Sequence, residues 1–394
     1  MSTIYFDAKR AFLNKRGLGN YSRDAVRLMT TYAPDNEYVL FSPKIDKVFP
    51  EDYPWVRKDD AKLVTPSGIW KTMPSLWRSY GCTRDILKTP GKAKDTIYWG
   101  LSGEVPIGIR KTGCKVVVTM HDAIFMRYPE LYSATYRRLF ARKVQYACDA
   151  ADLIIAISEQ TKRDLIEFFG ADEKKTRVVY QGCSNIFREY AAKAGAVNFL
   201  PVEDKENVSR QASEVRTKYA LPERYVLDVG AIEPRKNLLQ LVQAMGEAKI
   251  ELPLVAIGGR SSYADKCAQE AERSGVKLLL RHEVSFADFP ALYAGAEVLC
   301  YPSVFEGFGI PILEAMCVGT PVLTSTGSCF KETGGEAALY ANPTDTKEIG
   351  EQLRKILTDS GLRERMRQKG YEQADKFRDE KVAANLIAAI KSTV

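Results

Sequence analysis

The chain has 394 residues, enough for two domains of ordinary size, and its 45% hydrophobic and 27% charged content excludes a disordered or collagen-like polymer. Eight cysteines without a CxxC pair and only two histidines, His121 and His282, argue for reduced, mostly buried thiols and against a His-rich metal centre. The net charge of +7 is uneven: residues 1–190 carry 31 Lys+Arg against 22 Asp+Glu (+9), and residues 191–394 carry 26 against 28 (−2).

Short apolar runs alternate with helix-period segments, the pattern of parallel βαβ units. In the first half the expected strands are Thr3–Asp7, Tyr38–Phe41, Thr96–Trp99, Val116–Met120, Leu153–Ala156 and Arg177–Tyr180. The expected helices there are Asn20–Tyr32, Tyr132–Cys148 and Glu159–Phe169, the last capped by Ser158. Residues 192–218 are polar, lack apolar periodicity and read as a linker. A second strand series follows at Tyr225–Val229, Leu254–Ile257, Lys277–Leu280, Val298–Cys300 and Pro321–Thr324. Helical patterns close the chain at Lys347–Leu357, Gly361–Ala374 and Asp379–Lys391. The expectation is α/β: two doubly wound domains, 1–190 and 221–375, joined by a linker at 191–220. The opening residues have no basic start followed by an apolar run, and no stretch approaches the ~18 apolar residues of a spanning helix. A cytoplasmic protein, soluble or resting on a membrane surface, is expected.

Open α/β sheets bind ligands beyond the carboxyl ends of their strands, and four loops there hold unusual residues. Tyr301–Glu314 follows an apolar strand and places Pro311 in the first turn of the next helix. Its Gly307 and Gly309 allow close backbone approach, and the helix start offers N–H groups to an anion. Glu306 lies in the loop, and Glu314 lies in a nearly apolar helix, where a buried carboxylate needs a partner such as a hydroxyl. The other reading leaves both as surface glutamates. Gly230–Asn237 sets Arg235 and Lys236 at a helix start, where the macrodipole disfavours cations unless a strong anion such as a diphosphate sits between them.

The third loop, Lys15–Tyr21, carries Gly17-x-Gly19 but has Ser22 at the third position of a dinucleotide fingerprint. The second strand ends in Phe41-Ser42 without an acidic residue for a ribose, which disfavours a nicotinamide cofactor. In the fourth, His121 ends the apolar strand Val116–Thr119, and Asp122 either orients it or caps the turn. The four tryptophans, Trp55, Trp70, Trp77 and Trp99, fall in the basic half beside Arg57, Lys58, Lys71 and Arg78. They mark either a membrane interface or, in Ile69–Tyr80, a helix packing its aromatics inward.

Glu306-Gly-Phe-Gly with Glu314 is similar to the E-x7-E signature of retaining glycosyltransferases. With Glu233–Asn237, Arg16–Tyr21 and His121-Asp122, the chain resembles glycosyltransferase family 4 over most of both halves, least in 43–95 and 190–220. The segments Arg16–Tyr21, His121–Pro129 and Tyr180–Phe187 most resemble the mannosyltransferase branch of O-antigen and other surface polysaccharide synthesis. The resemblance implies a GT-B fold, two Rossmann-like domains facing across a cleft, with the helix in 376–394 packing back on the N-terminal, acceptor-binding domain. It implies a nucleotide-sugar donor, GDP- or UDP-linked, and a glycan or lipid-linked acceptor, with no metal or other cofactor. It also implies that Arg235 and Lys236 hold the diphosphate and that Glu314 holds the ribose. Glu306 with the backbone of Gly307, Phe308, Gly309 and Ile310 would contact sugar and phosphates, and the segment around Val284 would border the base. Gly17 and Gly19 would approach the diphosphate, and His121 the reacting sugar carbon. Whether Glu306 is nucleophile or electrostatic stabiliser stays open. A nucleotide-sugar epimerase and a non-catalytic partner subunit are the alternatives. No nucleic-acid motif accompanies the positive charge, which would suit a diphosphate-linked lipid at an anionic membrane.

Overall fold

The computed structural model describes residues 2–14, 17–45, 61–88, 96–193 and 205–393, and the chain divides into two compact units. The first comprises residues 1–181 with 379–394, the second residues 182–378. Each is built on one parallel sheet.

In the first unit the strands are β1 (Thr3–Asp7), β2 (Glu37–Phe41), β3 (Lys62–Val64), β4 (Thr96–Gly100), β5 (Lys115–Met120), β6 (Leu153–Ala156) and β7 (Thr176–Val178), in the order β3-β2-β1-β4-β5-β6-β7. β4 and β6 are buried along their whole length, as continuous apolar strands are when helices cover both faces. The chain leaves β1 toward β2 on one side and returns to β4 on the other. The loops after β1 and β4 therefore open at the point where the strand order reverses, the usual ligand crevice of such sheets. Helix Gly17–Tyr32 buries Tyr21, Ala25, Val26, Leu28 and Met29 on one face. The last helix, Asp379–Lys391, packs beside it, and Arg27 Nη1 reaches Asp379 Oδ2 at 2.6 Å. Ser158 caps helix Glu159–Phe169 by accepting the Thr161 N–H at 3.0 Å.

The second unit has β8 (Val226–Val229), β9 (Leu254–Ile257), β10 (Leu278–Arg281), β11 (Val298–Tyr301), β12 (Val322–Ser325) and β13 (Ala338–Ala341), ordered β10-β9-β8-β11-β12-β13. Its reversal point lies between β8 and β11. Leu238, Leu241, Val242 and Met245 of helix Leu238–Glu247 join Val226, Leu254 and Val298 of the strands in one core.

Several expectations need correction. The edge strands β3 and β13 carry no sequence signal: one is three residues of an edge, the other is Ala-Leu-Tyr-Ala, poor in β-branched residues. The first unit ends at Gln181, not at 190, because helix Asn185–Lys193 packs on helices Phe289–Ala294 and Ile310–Cys317 of the second. Within the expected linker, Lys205–Lys218 is a helix. Its composition is so polar that the burial of Val215 is invisible as periodicity, and residues 194–204 lie outside the described residues. Ile69–Tyr80 is not one helix: a 3₁₀ turn, Gly68–Lys71, is followed by helical residues from Pro74 that run through a π turn, Trp77–Gly81, into Cys82–Lys88. All eight cysteines are free and buried.

Gly19 is explained by its own loop. A Cβ there would lie 1.7 Å from the Asn14 carbonyl oxygen, whereas one at Gly17 would meet nothing within 4 Å. Arg23 Nη1 holds that carbonyl at 2.7 Å, so the loop has nowhere to retreat. We expect Gly19→Ala to lose about 1–3 kcal/mol, read as a lower melting temperature, and Gly17→Ala to melt no lower than wild type. Equal melting of the two variants would contradict this packing.

Candidate active site

The loops after β8 and β11 meet on one carboxylate oxygen. Glu306 Oε1 accepts from Arg235 Nη1 at 2.8 Å, Lys236 Nζ at 2.6 Å and Ser303 Oγ at 2.5 Å. Arg235 also donates to the Phe305 carbonyl at 2.6 Å and to Glu233 Oε1 at 2.7 Å. Lys236 Nζ donates to the Tyr301 hydroxyl at 2.6 Å. Burial pushes the Glu306 carboxyl upward, but Lys236, Arg235 and the Ser303 hydroxyl outweigh it, so the group titrates below the usual carboxylate range. Its Oε2 takes no hydrogen bond among the described residues and can receive one from a ligand.

Arg235 and Lys236 do not sit on the helix start itself. They occupy a 3₁₀ turn, Pro234–Lys236, and the helix begins at Leu238 after Asn237, whose φ is +67°. Asn237 tolerates that conformation and donates to the carbonyls of Pro302 and Pro343 at 3.1 and 2.7 Å. The two cations already have an intramolecular anion in Glu306. The strong anion that their sequence setting calls for is thus supplied in part by a side chain of the same unit.

The loop after β12 grips Glu306 from behind. The Ser328 hydroxyl accepts the Glu306 N–H at 3.1 Å and donates to the Glu306 carbonyl at 2.9 Å. Ser328 has φ +46°, a strained setting for a residue with a Cβ, such as functional sites retain. Gly309, with φ +90°, caps helix Ile310–Cys317, and Pro311 lies in its first turn. Phe308 turns its ring inward onto Phe377, with centroids 5.6 Å apart, so only its backbone is left for a ligand. Glu314 is buried, and its hydroxyl partner is Tyr293, which donates to Oε2 at 2.8 Å. Burial raises the Glu314 carboxyl to about 7 against that hydrogen bond. Burial likewise raises Asp228, on β8, to about 7 against the pull of Lys236. The loops after β8, β9 and β10 also touch. A Cβ on Gly258 would lie 2.1 Å from the Gly230 oxygen, and His282 Nδ1 donates to the Gly258 carbonyl at 2.8 Å. Val284 follows two residues later on the same rim.

In the first unit His121 ends β5. Its Nε2–H donates to the Leu101 carbonyl at 2.8 Å, and Tyr21 meets its ring edge-on at 4.7 Å. Burial lowers its pKa to about 4 despite the Leu101 bond, with Arg10 adding to the lowering, so the neutral ring keeps Nδ1 as an acceptor. Asp122 caps the turn by accepting the Ile124 N–H at 3.1 Å. Thr119 gathers the Trp99 indole N–H at 2.9 Å and the Tyr21 hydroxyl at 3.0 Å, which fixes Tyr21 against His121. Lys15 and Arg16 lie outside the described residues.

Sequence reasoning missed Ser303 and Tyr301 as partners, Ser328, Tyr293 and Gly258. It also missed the inward ion pair of Arg78 with Asp7 and Glu104, at 2.5 and 2.7 Å. Only Asp7, a carboxylate ending a buried strand, carried a signal for that last group. Among the described residues no three His, Cys, Asp or Glu side chains gather as a metal site.

The profile described as "Glycosyl transferases group 1" matches residues 210–373, and that of "Glycosyltransferase Family 4" matches residues 32–184. The O-antigen chain mannosyltransferase B of Escherichia coli is 31% identical over 387 residues, 95% of this chain and 96% of that protein. The chain belongs to glycosyltransferase family 4. The O-antigen chain mannosyltransferase RfbU of Salmonella typhimurium is 28% identical over 242 residues, 61% of this chain and 60% of that protein. Among solved structures, sucrose-phosphate synthase of Thermosynechococcus elongatus has a TM-score of 0.74 at 20% identity, covering 100% of this chain and 99% of that one. Anabaena HepE in complex with UDP has a TM-score of 0.73 at 15% identity, covering 100% of both chains. At such identities the likeness shows the fold, which is GT-B. This family 4 enzyme is a hexosyltransferase.

Its buried Glu314 leaves a thermodynamic mark. A carboxyl raised in the folded state stabilises the fold below its unfolded value, and that stability is lost as pH rises through about 7. We expect Glu314→Gln to raise the melting temperature relative to wild type at pH 8 more than at pH 5.5. A difference independent of pH would contradict the buried, protonatable carboxyl.

Proposed function

We propose that the enzyme transfers mannose from GDP-mannose to a lipid-linked glycan of a bacterial surface polysaccharide, retaining the anomeric configuration and without a metal. The choice of mannose rests on the nearly full-length likeness to an O-antigen mannosyltransferase. The observation that carries the mechanism is the pairing of Arg235 and Lys236 on Glu306 Oε1. As the sugar–phosphate bond breaks, negative charge grows on the leaving nucleoside diphosphate. Two cations held in place beforehand stabilise that charge with little reorganisation. The start of helix Ile310–Cys317, with the backbone of Gly307–Ile310, adds N–H groups for the phosphates.

Glu306 acts as an electrostatic and hydrogen-bonding group in this proposal. Three donors on one oxygen make it a weak base and so a weak nucleophile, while Oε2 can accept a sugar hydroxyl. Glu314 receives the ribose hydroxyls, the backbone near Val284 borders the base, and Gly17, whose surroundings are open, admits the diphosphate. Neutral His121 accepts a hydroxyl of the transferred sugar through Nδ1. Retention then follows from attack on the face the diphosphate leaves, with the departing phosphate taking the acceptor proton.

The test is transfer of labelled sugar to a lipid-linked glycan extract from a panel of GDP- and UDP-sugars. GDP-mannose should label the glycan, and Arg235→Ala, Lys236→Ala and Glu306→Ala should each lower kcat/KM by about a hundredfold or more. Transfer solely from another nucleotide sugar would overturn the donor assignment, and wild-type turnover by Glu306→Ala would overturn the site.

A further inference from the structure

The tryptophans are not the exposed apolar groups of the basic half. Trp77 and Trp99 are fully buried, Trp70 packs against the backbone at Gly81, and Trp55 with Arg57 and Lys58 lies outside the described residues. Arg78 faces inward as well, onto Asp7 and Glu104. Other side chains face out. Thirteen of the fourteen exposed large hydrophobic side chains among the described residues belong to the first unit, the exception being Phe286. Six of them form one patch: Ile69, Met73, Leu76, Tyr80, Leu87 and Ile107, with Ile69 72% and Leu87 58% exposed.

The patch is continuous because of how its elements are tied. Leu76, Tyr80, Arg84 and Leu87 recur at helical spacing on the outer face of the segment Pro74–Lys88, while Trp77, Cys82 and Ile86 fill its inner face. The Ile107 N–H donates to the Ser79 carbonyl at 2.7 Å, and Thr83 Oγ1 donates to the Ile107 carbonyl at 3.1 Å. Its border is positive. Lys71, Arg84, Lys88 and Lys111 are exposed, and none is in an ion pair among the described residues. The one carboxylate within 68–88 and 107–112 is Asp85, half-buried and accepting the Trp77 indole N–H at 2.7 Å.

We propose that this face, Ile69 through Leu87 with Ile107, seats the enzyme on an anionic lipid bilayer. Apolar side chains ringed by exposed lysine and arginine match the interfacial region of such a bilayer, with the chains in the acyl boundary and the cations at the headgroups. The same segment is anchored through Arg78 to Asp7, at the carboxyl end of β1, and to Glu104, in the loop after β4. Seating it therefore fixes the ligand-binding rim of this sheet close to the membrane. The inference takes its purpose from the lipid-linked acceptor proposed above; its evidence is independent.

The experiment is co-sedimentation of the full chain with vesicles of phosphatidylcholine alone or with about one-third phosphatidylglycerol, at low and high salt. Binding should need phosphatidylglycerol and weaken with salt. Leu76→Gln/Leu87→Gln and Lys71→Gln/Arg84→Gln/Lys88→Gln should each weaken it at least tenfold, and Ile166→Gln, an exposed residue of helix Glu159–Phe169, should not. Melting curves check that each variant is folded. Transfer to a soluble glycan acceptor, measured in parallel, separates failure of docking from failure of the transferase proposal. No binding to the anionic vesicles, or binding unchanged in both multiple variants, overturns the inference. So does concentration-dependent self-association that the Leu76→Gln/Leu87→Gln variant abolishes while vesicle binding is absent, since the face would then be a contact between copies.

Discussion

Glu306 draws together three loops that start on three different strands, two through its side-chain Oε1 and one through its backbone. Arg235 and Lys236 come from the turn after β8, Ser303 from the loop after β11, and Ser328 of the loop after β12 clamps the Glu306 backbone. Without this carboxylate, two neighbouring cations with side chains only 13% and 14% exposed would be left with Glu233, on Arg235, as their one ion-pair partner among the described residues, a costly state for partly buried charge. The carboxylate has a second consequence. It fixes the positions of both cations before any anion arrives, so their field is organised ahead of the chemistry. The remaining site features are arranged around that point: Gly309 starts a helix beside it, and Asn237 turns the chain just past Lys236.

Much of this was legible in the sequence, for reasons that differ by element. Central strands such as Val116–Met120 and Leu254–Ile257 are buried on both faces and therefore read as unbroken apolar runs. The edge strands Lys62–Val64 and Ala338–Ala341 need no such run, and they were missed. Glu314 was readable as a buried carboxylate in want of a hydroxyl, but Tyr293, which supplies it, is 21 residues away and only the fold brings it there. The same holds for Arg235 and Lys236. Their placement against the helix dipole signalled an anion, and the anion in this structure is a side chain 70 residues on. Ser328 had no readable signal, because nothing in a serine's neighbours announces a φ of +46°.

The charge asymmetry also acquires a structural meaning. In the second unit the site cations are paired with Glu306 and Glu233, so a nearly neutral half can hold an anion through a few placed groups. In the first unit part of the basic excess is turned inward at Arg78, and part stands exposed around an apolar patch. Of the two readings of the tryptophans, inward packing holds for Trp77 and Trp99, which are large enough to anchor the core. The patch residues that do face out are mostly aliphatic and carry no special signature in a linear sequence.

In the proposed mechanism Arg235 and Lys236, organised by Glu306, form a diphosphate site. Calorimetric titration of nucleoside diphosphates and the matching monophosphates, GDP with GMP and UDP with UMP, tests it most directly. For the base the enzyme accepts, the diphosphate should bind at least about tenfold more tightly than the monophosphate, as expected of charge-assisted contacts to the second phosphate. That difference should collapse in Arg235→Ala and Lys236→Ala. Equal affinity for the two nucleotides in the wild-type enzyme, or a preference for the diphosphate that survives both substitutions, would contradict the account.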